Sequence, residues 1–160
     1  MTQTKPLNWT PKPGVGMTVV RRADGGMNLT FTDLSDATLK SWREFSLDHL
    51  LNADRLTRNL YDLRAVKQIP EAAINAAVEV NSDPSARNIR LAVVVVDEKV
   101  ADAIRKVAAL ALPEAAAAMK IFTDLGEAEA WLSRPLDQIA SKYKMSWPAL
   151  CAGTRASRAG

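Results

Sequence analysis

The residues most suited to binding or catalysis lie where predicted strands end and helices begin. Three apolar stretches of the chain are predicted as strands, and each is followed by a short polar segment. Because the carboxyl ends of parallel strands meet at one edge of a sheet, where open α/β folds bind ligands, these segments form a candidate rim for a ligand or partner. The predicted rim residues are Arg64, Lys67, Gln68, Glu71, Asp97, Lys99 and Asp124.

These rim residues allow two interpretations. Arg64 and Lys67 come shortly before a predicted helix N-terminus, an arrangement that favours the binding of an anionic group. In the simpler interpretation, which we favour, Asp97 and Asp124 cap helices while the other side chains are solvated. A carboxylate such as Glu71 in a first helical turn is stabilising by about 0.3–1 kcal/mol, which explains it without a signalling role.

Several kinds of chemistry lack the residues they need. His49 is the only histidine and Cys151 the only cysteine, so neither a zinc site nor a His-dependent nucleophile is expected. The chain has no G-x-S-x-G elbow and no Walker sequence. The glycines at 14–16 precede the first predicted strand, whereas a dinucleotide-binding loop must follow one. We therefore expect no metal, no cofactor and no enzymatic activity.

Five predicted strands and four predicted helices must position the rim. Alternating polarity predicts strands around a Gly-containing hairpin turn at 24–26, and apolar stripes of helical period predict helices. The continuously apolar stretch "IRLAVVVVD" predicts a strand buried on both faces. The strands are predicted over 17–23, 27–33, 58–66, 89–97 and 118–124, and the helices over about 35–51, from Pro70 to about 80, from Asp97 to about 111, and over 126–132.

The order of these elements, ββαβαβαβα, predicts the fold class. Alternation after the hairpin indicates an α/β fold with a mixed, mainly parallel five-stranded sheet flanked by helices. A further helix is predicted over 135–147 and a frayed tail over 148–160. We accordingly divide the chain into an irregular arm (1–16), the α/β domain (17–132) and a basic C-terminal extension (133–160).

The sequence also predicts which residues cap the helices and where the four tryptophans lie. Asp33 or Ser35 is expected to cap the first helix, and the pair "Asp124…Glu127" resembles a capping box at the last one. Leu39 and Trp42, with Phe45 or Ser46, fall on the inner face of the first helix. The four tryptophans divide into two pairs: Trp42 and Trp131 are predicted to pack in the core, whereas Trp9 and Trp147 could fold back on the domain or dock on a second subunit.

The distribution of charge and of apolar residues bears on partners and location. The net charge of +3 is concentrated in residues 133–160, which carry +4, whereas residues 1–132 carry −1. Since no basic face with interleaved aromatics is evident, nucleic-acid binding is not expected. No apolar run is longer than six residues, the length of "LAVVVV", and no secretory signal is recognisable, so we expect no stable membrane insertion and a cytoplasmic location.

Three segments carry a resemblance to a known family. "LYDLRAV" is similar to an "xDLRGV" strand, "IRLAVVVVDEKVADAIRKVAAL" to an apolar strand followed by a helix, and "MKIFTDLGEAEAWL" to a closing "VRVFxDxxEALAWL". Together they resemble the SpoIIAA-like (STAS/SEC14-like) family of the STAS superfamily over about residues 56–132. The resemblance implies the STAS α/β fold, which is the fold of anti-sigma-factor antagonists, and a role as a non-catalytic regulatory or interaction module.

The resemblance also exposes a departure at the strand-to-helix corner. Phosphorylatable STAS antagonists carry "GVxxIDSSG" there, with the target serine at the helix start. In this chain Val66 and Ile69 match, Ala65 replaces the glycine, and residues 70–73 are Pro-Glu-Ala-Ala. No serine or threonine lies between Leu63 and Asn81, so the serine switch is not expected here.

Three functions remain open at this point. The STAS resemblance implies a non-catalytic regulatory or protein-interaction module, acting with a protein partner or as a homodimer. The SEC14-like grouping implies instead a carrier of a small apolar or lipid-like ligand, with a cavity that the small-residue segment 108–118 could flank. An enzyme of unknown type is the weakest alternative, because the sequence offers no assembled catalytic set.

Overall fold

The elements follow the predicted order along the chain. The structure is a computed structural model that describes residues 12–50, 57–82, 89–111, 113 and 118–135, without the side chains of residues 49 and 50. The strands within these ranges are β1 (Met17–Arg21), β2 (Met27–Phe31), β3 (Thr57–Asp62), β4 (Ile89–Val94) and β5 (Met119–Phe122). The helices are α1 (Asp36–Phe45), continued by a π-helical segment (Ser46–Leu50), then α2 (Glu71–Asn81), α3 (Glu98–Leu110) and α4 (Leu125–Leu132).

The five strands form one mixed sheet in the order β1-β2-β3-β4-β5. The β1–β2 hairpin is antiparallel, and β2, β3, β4 and β5 run parallel to one another. Gly25 lies in the hairpin turn with φ of 93°, a backbone conformation that side chains with a Cβ rarely adopt. The α/β class with a mainly parallel five-stranded sheet is therefore confirmed.

The two faces of the sheet are covered by different helices. On one face, Trp42 and Phe45 of α1, Val80 of α2 and Val100 of α3 pack against the inner side chains of β1, β2 and β4. On the other face, α4 packs its buried residues onto β3, β4 and β5, in a second cluster made of Leu60, Ala92, Val94, Phe122, Ala128 and Leu132. All six residues of β4 are buried, which confirms the prediction of a strand covered on both faces.

The inner face of α1 agrees with its predicted stripe. Leu39, Trp42, Phe45 and Ser46 are all buried. The Trp42 indole Nε1 donates a hydrogen bond of 3.1 Å to the Tyr61 hydroxyl, and the two rings meet edge to face with centroids 6.4 Å apart. Trp42 is therefore a core residue, as predicted.

Several element boundaries differ from the sequence-based prediction. Each strand ends earlier than predicted; β3 stops at Asp62 because the Asp62 side chain accepts the backbone N–H of Arg64 and turns the chain. The first helix is α-helical only to Phe45 and then widens into the π-helical segment. Pro70 is the N-cap of α2 rather than a residue of its first turn, since its extended backbone (ψ 159°) precedes the helix.

Some predictions fall outside the described residues. They concern the arm up to residue 11 with Trp9, the helix over 135–147 with Trp147, the tail over 148–160 with Cys151, the small-residue segment at 114–117, and the His49 side chain. Among the described helices, none combines the length and the apolar character that crossing a membrane requires.

Candidate functional site

The predicted rim residues lie at one edge of the sheet. Asp62 at the end of β3 is in register with Val94 at the end of β4, and Val94 with Phe122 at the end of β5. The connections that leave these strands lead directly to the N-termini of α2, α3 and α4. The structure thus places all seven predicted rim residues on this carboxyl edge, although not in mutual contact as one cluster.

Two aspartates of the rim cap helices. Asp97 is the N-cap of α3, and its Oδ1 accepts the backbone N–H of Lys99 at 2.8 Å. Asp124 is the N-cap of α4, and its Oδ2 accepts the backbone N–H of Glu127 at 2.9 Å. These bonds satisfy N–H groups that have no partner inside the helix, so both carboxylates are engaged in holding the corners.

Arg64, in the turn after β3, is paired with the carboxylate of the last residue of that strand, Asp62. Its Nη2 lies 2.8 Å from Asp62 Oδ2, and its Nε donates to Asp62 Oδ1 at 3.0 Å. These hydrogen bonds lower the pKa of the Asp62 carboxyl and raise the pKa of the Arg64 guanidinium. An anion bound at Arg64 would have to compete with this bidentate pair.

The Asp62–Arg64 pair predicts a pH dependence. Arg64→Gln is expected to move the pKa of Asp62 back toward its ordinary value of 3.8. Because the folded-state pKa is depressed, the pair contributes stability above 3.8, and this contribution is lost as the pH falls through the lower folded-state pKa. Urea midpoints of wild type and variant should therefore differ at neutral pH and converge in acid; a constant difference would contradict the pairing.

The remaining rim residues are exposed. Lys67, Gln68, Glu71 and Lys99 carry exposed side chains, with Lys67 and Gln68 on the loop between β3 and α2. Glu71 is the first residue of α2, where a carboxylate is favoured by the helix dipole. These four side chains are accessible to a partner without rearrangement of the core.

A fourth corner, at the start of α1, is held by a network that the sequence only partly predicted. Ser35 is the N-cap, as one of the two predicted alternatives. Asp33 Oδ1 accepts the Thr38 hydroxyl at 2.6 Å and the Ser35 N–H at 3.0 Å, and these bonds lower the pKa of Asp33. Thr38 Oγ1 in turn accepts the N–H of Gly16 at 2.8 Å, which fixes the chain entering β1.

Two apolar side chains of the rim were missed by the search for polar residues. Val96, just after β4, is 63% exposed, and Leu125, the first residue of α4, is 37% exposed. Since β4 and β5 are neighbours, these side chains occupy adjacent corners of the same edge. Leu125 stands at a predicted strand-to-helix corner and could have been found there, whereas Val96 falls inside the predicted buried strand over 89–97.

A second feature that the sequence did not predict lies at the opposite, amino edge of the sheet. Arg58 and Arg90 are register partners on β3 and β4, and both donate to backbone carbonyls at the end of α4. Burial lowers the pKa of Arg90, as do the neighbouring charges of Arg58 and Arg134. The charged residue within "IRLAVVVV" was the available signal, because a buried arginine requires acceptors.

The fold and its rim define the class of protein: an α/β domain with a mainly parallel five-stranded sheet and capped corners at its carboxyl edge. In the part of the chain that the structure describes, no three His, Cys, Asp or Glu side chains are grouped to hold a metal ion.

Comparison with known proteins adds a limited finding. No protein-family model and no curated protein matches the chain. The chain is similar to a solved structure described as the NMR structure of the protein TM1081, with 15% sequence identity and a TM-score of 0.49, over 84% of this chain and 100% of that one. At this identity and TM-score the similarity identifies neither a family nor a function.

Proposed function

We propose that this protein is a non-catalytic regulatory module of STAS-like type that binds a protein partner through the carboxyl edge of its sheet. The observation that carries the proposal is the exposure of Val96 at 63%, with Leu125 exposed at 37% on the corner that follows the neighbouring strand. Aliphatic side chains exposed together on a fixed edge are suited to burial against a partner.

The charges around these residues suit a docking surface more than a reaction centre. Asp97 and Asp124 are engaged as helix caps, and Arg64 is paired with Asp62. Their local roles fix the corner backbones, so the edge presents little conformational freedom that binding would have to remove. Exposed charged residues such as Lys67 would then lie at the periphery of the contact, where they influence orientation and association rate.

This proposal does not depend on phosphorylation of the strand-to-helix corner. The chain contains no serine or threonine between Leu63 and Asn81, and the residues at the helix start are Pro70 and Glu71. Partner binding would accordingly be constitutive at this corner, or be regulated elsewhere.

A carrier of a lipid-like ligand needs a cavity with an apolar lining, and one groove in the described part of the chain can be compared with that requirement. A groove of about 810 Å³ lies between α1 and α2, and five of its ten lining residues are charged: Asp36, Lys40, Arg43, Glu44 and Glu79. A lining of that composition suits a polypeptide better than an acyl chain, because an acyl chain cannot satisfy charged groups that it desolvates. The groove therefore favours the interaction module over the lipid-like carrier.

The edge can be tested with a matched pair of charge insertions. Val96→Lys should abolish capture of the partner from the cells that make this protein, because it would bury an unpaired ammonium at the contact. Val20→Lys is the control, since Val20 is 60% exposed on β1 and lies away from the carboxyl corners. Quantitative mass spectrometry of proteins captured by wild type and both variants makes the comparison; equal capture by all three would contradict the proposal.

A further inference from the structure

The groove between α1 and α2 is distinct from the apolar corners of the carboxyl edge, because neither Val96 nor Leu125 lines it. On the α2 side its lining includes two small residues, Ala72, which is exposed, and Ala76, which is half-buried. Alanines at these positions leave a recess between the two helices. Such a recess can accept an apolar side chain of another polypeptide.

An exposed leucine lies at the opposite end of the same groove. Leu47, in the π-helical segment that continues α1, lines the groove and is 53% exposed. The helices α1 and α2 run in the same direction, since each connects two parallel strands of one sheet. The Arg43–Glu79 ion pair, at 2.8 Å, therefore places Leu47 beyond one end of the α1–α2 contact and the recess at Ala72 and Ala76 toward the other.

A recess at one end and a protruding leucine at the other make this face complementary to a second copy of itself. A two-fold axis perpendicular to α1 turns the helices of the second copy antiparallel to those of the first. The leucine end of one groove then lies against the recess end of the other. Each Leu47 thereby meets the recess beside Ala72 and Ala76 of the other copy.

The charges on the outer face of α1 fit the same arrangement. Lys40 and Glu44 are both exposed and lie one helical turn apart. With the two-fold axis passing midway between them, Lys40 of each copy faces Glu44 of the other. Within the described part of the chain Lys40 makes no ion pair, and Glu44 pairs with Lys12 at 3.6 Å, with side chains 47% and 60% exposed. A pair that exposed contributes little, so Glu44 can engage a second copy.

We propose that the groove between α1 and α2 is a self-association surface, at which two copies of this chain form a symmetric dimer with each Leu47 seated in the recess of the other copy. The contact buries two exposed leucines and forms the Lys40–Glu44 pair twice, as an isologous interface requires. It leaves the corner at Val96 accessible, so it does not depend on the partner binding proposed above.

Sedimentation velocity over a dilution series of the full-length chain measures the dissociation constant of the dimer. Leu47→Asp should raise this constant by about tenfold or more, because it places a carboxylate in an apolar recess. Leu110→Asp is the matched control and should leave the constant unchanged, since Leu110 is 57% exposed at the end of α3 and does not line the groove. Circular dichroism verifies that both variants keep their helices.

A charge exchange on α1 tests the geometry of the contact independently. Lys40→Glu and Glu44→Lys should each weaken the homodimer, because each places like charges opposite one another. An equimolar mixture of the two variants should associate again, since every glutamate of one chain then faces a lysine of the other. The proposal is overturned if wild type stays monomeric at millimolar concentration, if Leu47→Asp associates as wild type does, or if the mixture associates no better than either variant alone.

Discussion

Gly26→Ala is expected to destabilise the protein by about 3 kcal/mol or more. Gly26 immediately precedes β2, and a Cβ added there would occupy the position of the Arg58 backbone carbonyl on β3. Next to it, the Met27 N–H donates to the buried Asn59 Oδ1 at 2.9 Å, so the two strands are held together at this point. The methyl group can be accommodated only if the backbones of β2 and β3 separate.

Urea denaturation of wild type and variant measures this effect. Gly126→Ala is the control, since its added Cβ would meet only a side-chain oxygen, Asp124 Oδ2, at 3.2 Å rather than a backbone, and alanine is the better helix former. We expect Gly126→Ala to change stability by less than about 1 kcal/mol. If Gly26→Ala lowered the stability by no more than Gly126→Ala does, β2 and β3 would not approach as closely as the structure indicates.

Arg90→Met is expected to cost about 3 kcal/mol, because it leaves without a donor several partly buried carbonyls at the end of α4 that Arg90 now satisfies. The Arg90 side chain is 3% exposed. Its guanidinium donates to the carbonyls of Trp131, Arg134 and Pro135 at 3.2, 2.6 and 3.0 Å, and it lies 5.4 Å from the centre of the Trp131 ring. Methionine would fill the volume but satisfy none of these acceptors.

Two further variants separate the hydrogen bonds from the charge. Arg90→Lys keeps the positive charge, but an ammonium cannot span the same carbonyls, so it should lose most of the same stability. Arg58→Met should lower the stability less than Arg90→Met, because Arg58 is only half-buried and donates to two carbonyls, those of Leu132 and Arg134. Arg90→Met and Arg90→Lys should also show faster amide hydrogen exchange in α4 than wild type. Near-wild-type stability of Arg90→Lys would show that the charge alone is sufficient.

The fold was predictable because local patterns and global packing agree. The alternation of Met27, Leu29 and Phe31 marks the buried face of β2, and the unbroken apolar run of β4 marks a strand covered on both faces. The helix starts were predictable where a side chain supplies the cap, as at Asp97 and Asp124. These signals are short-range, so a single sequence contains them.

The candidate site was predictable only in its location. Arg64 pairs with Asp62 because the chain turns directly after β3. A pattern of side chains along the sequence does not specify that turn. Val96 is exposed because β4 ends at Val94. The predicted strand over 89–97 included Val96 and therefore implied that it is buried. The contact of Arg90 with the end of α4 joins residues more than forty positions apart, beyond the range of local patterns.

Native mass spectrometry of the protein, isolated from the cells that make it, measures whether a second polypeptide is bound at the carboxyl edge. We predict that wild type and Val20→Lys carry the mass of a second, different polypeptide, and that Val96→Lys does not. A chain that carries only a small molecule, or nothing, in wild type and both variants would contradict the proposal that the carboxyl edge binds a protein partner.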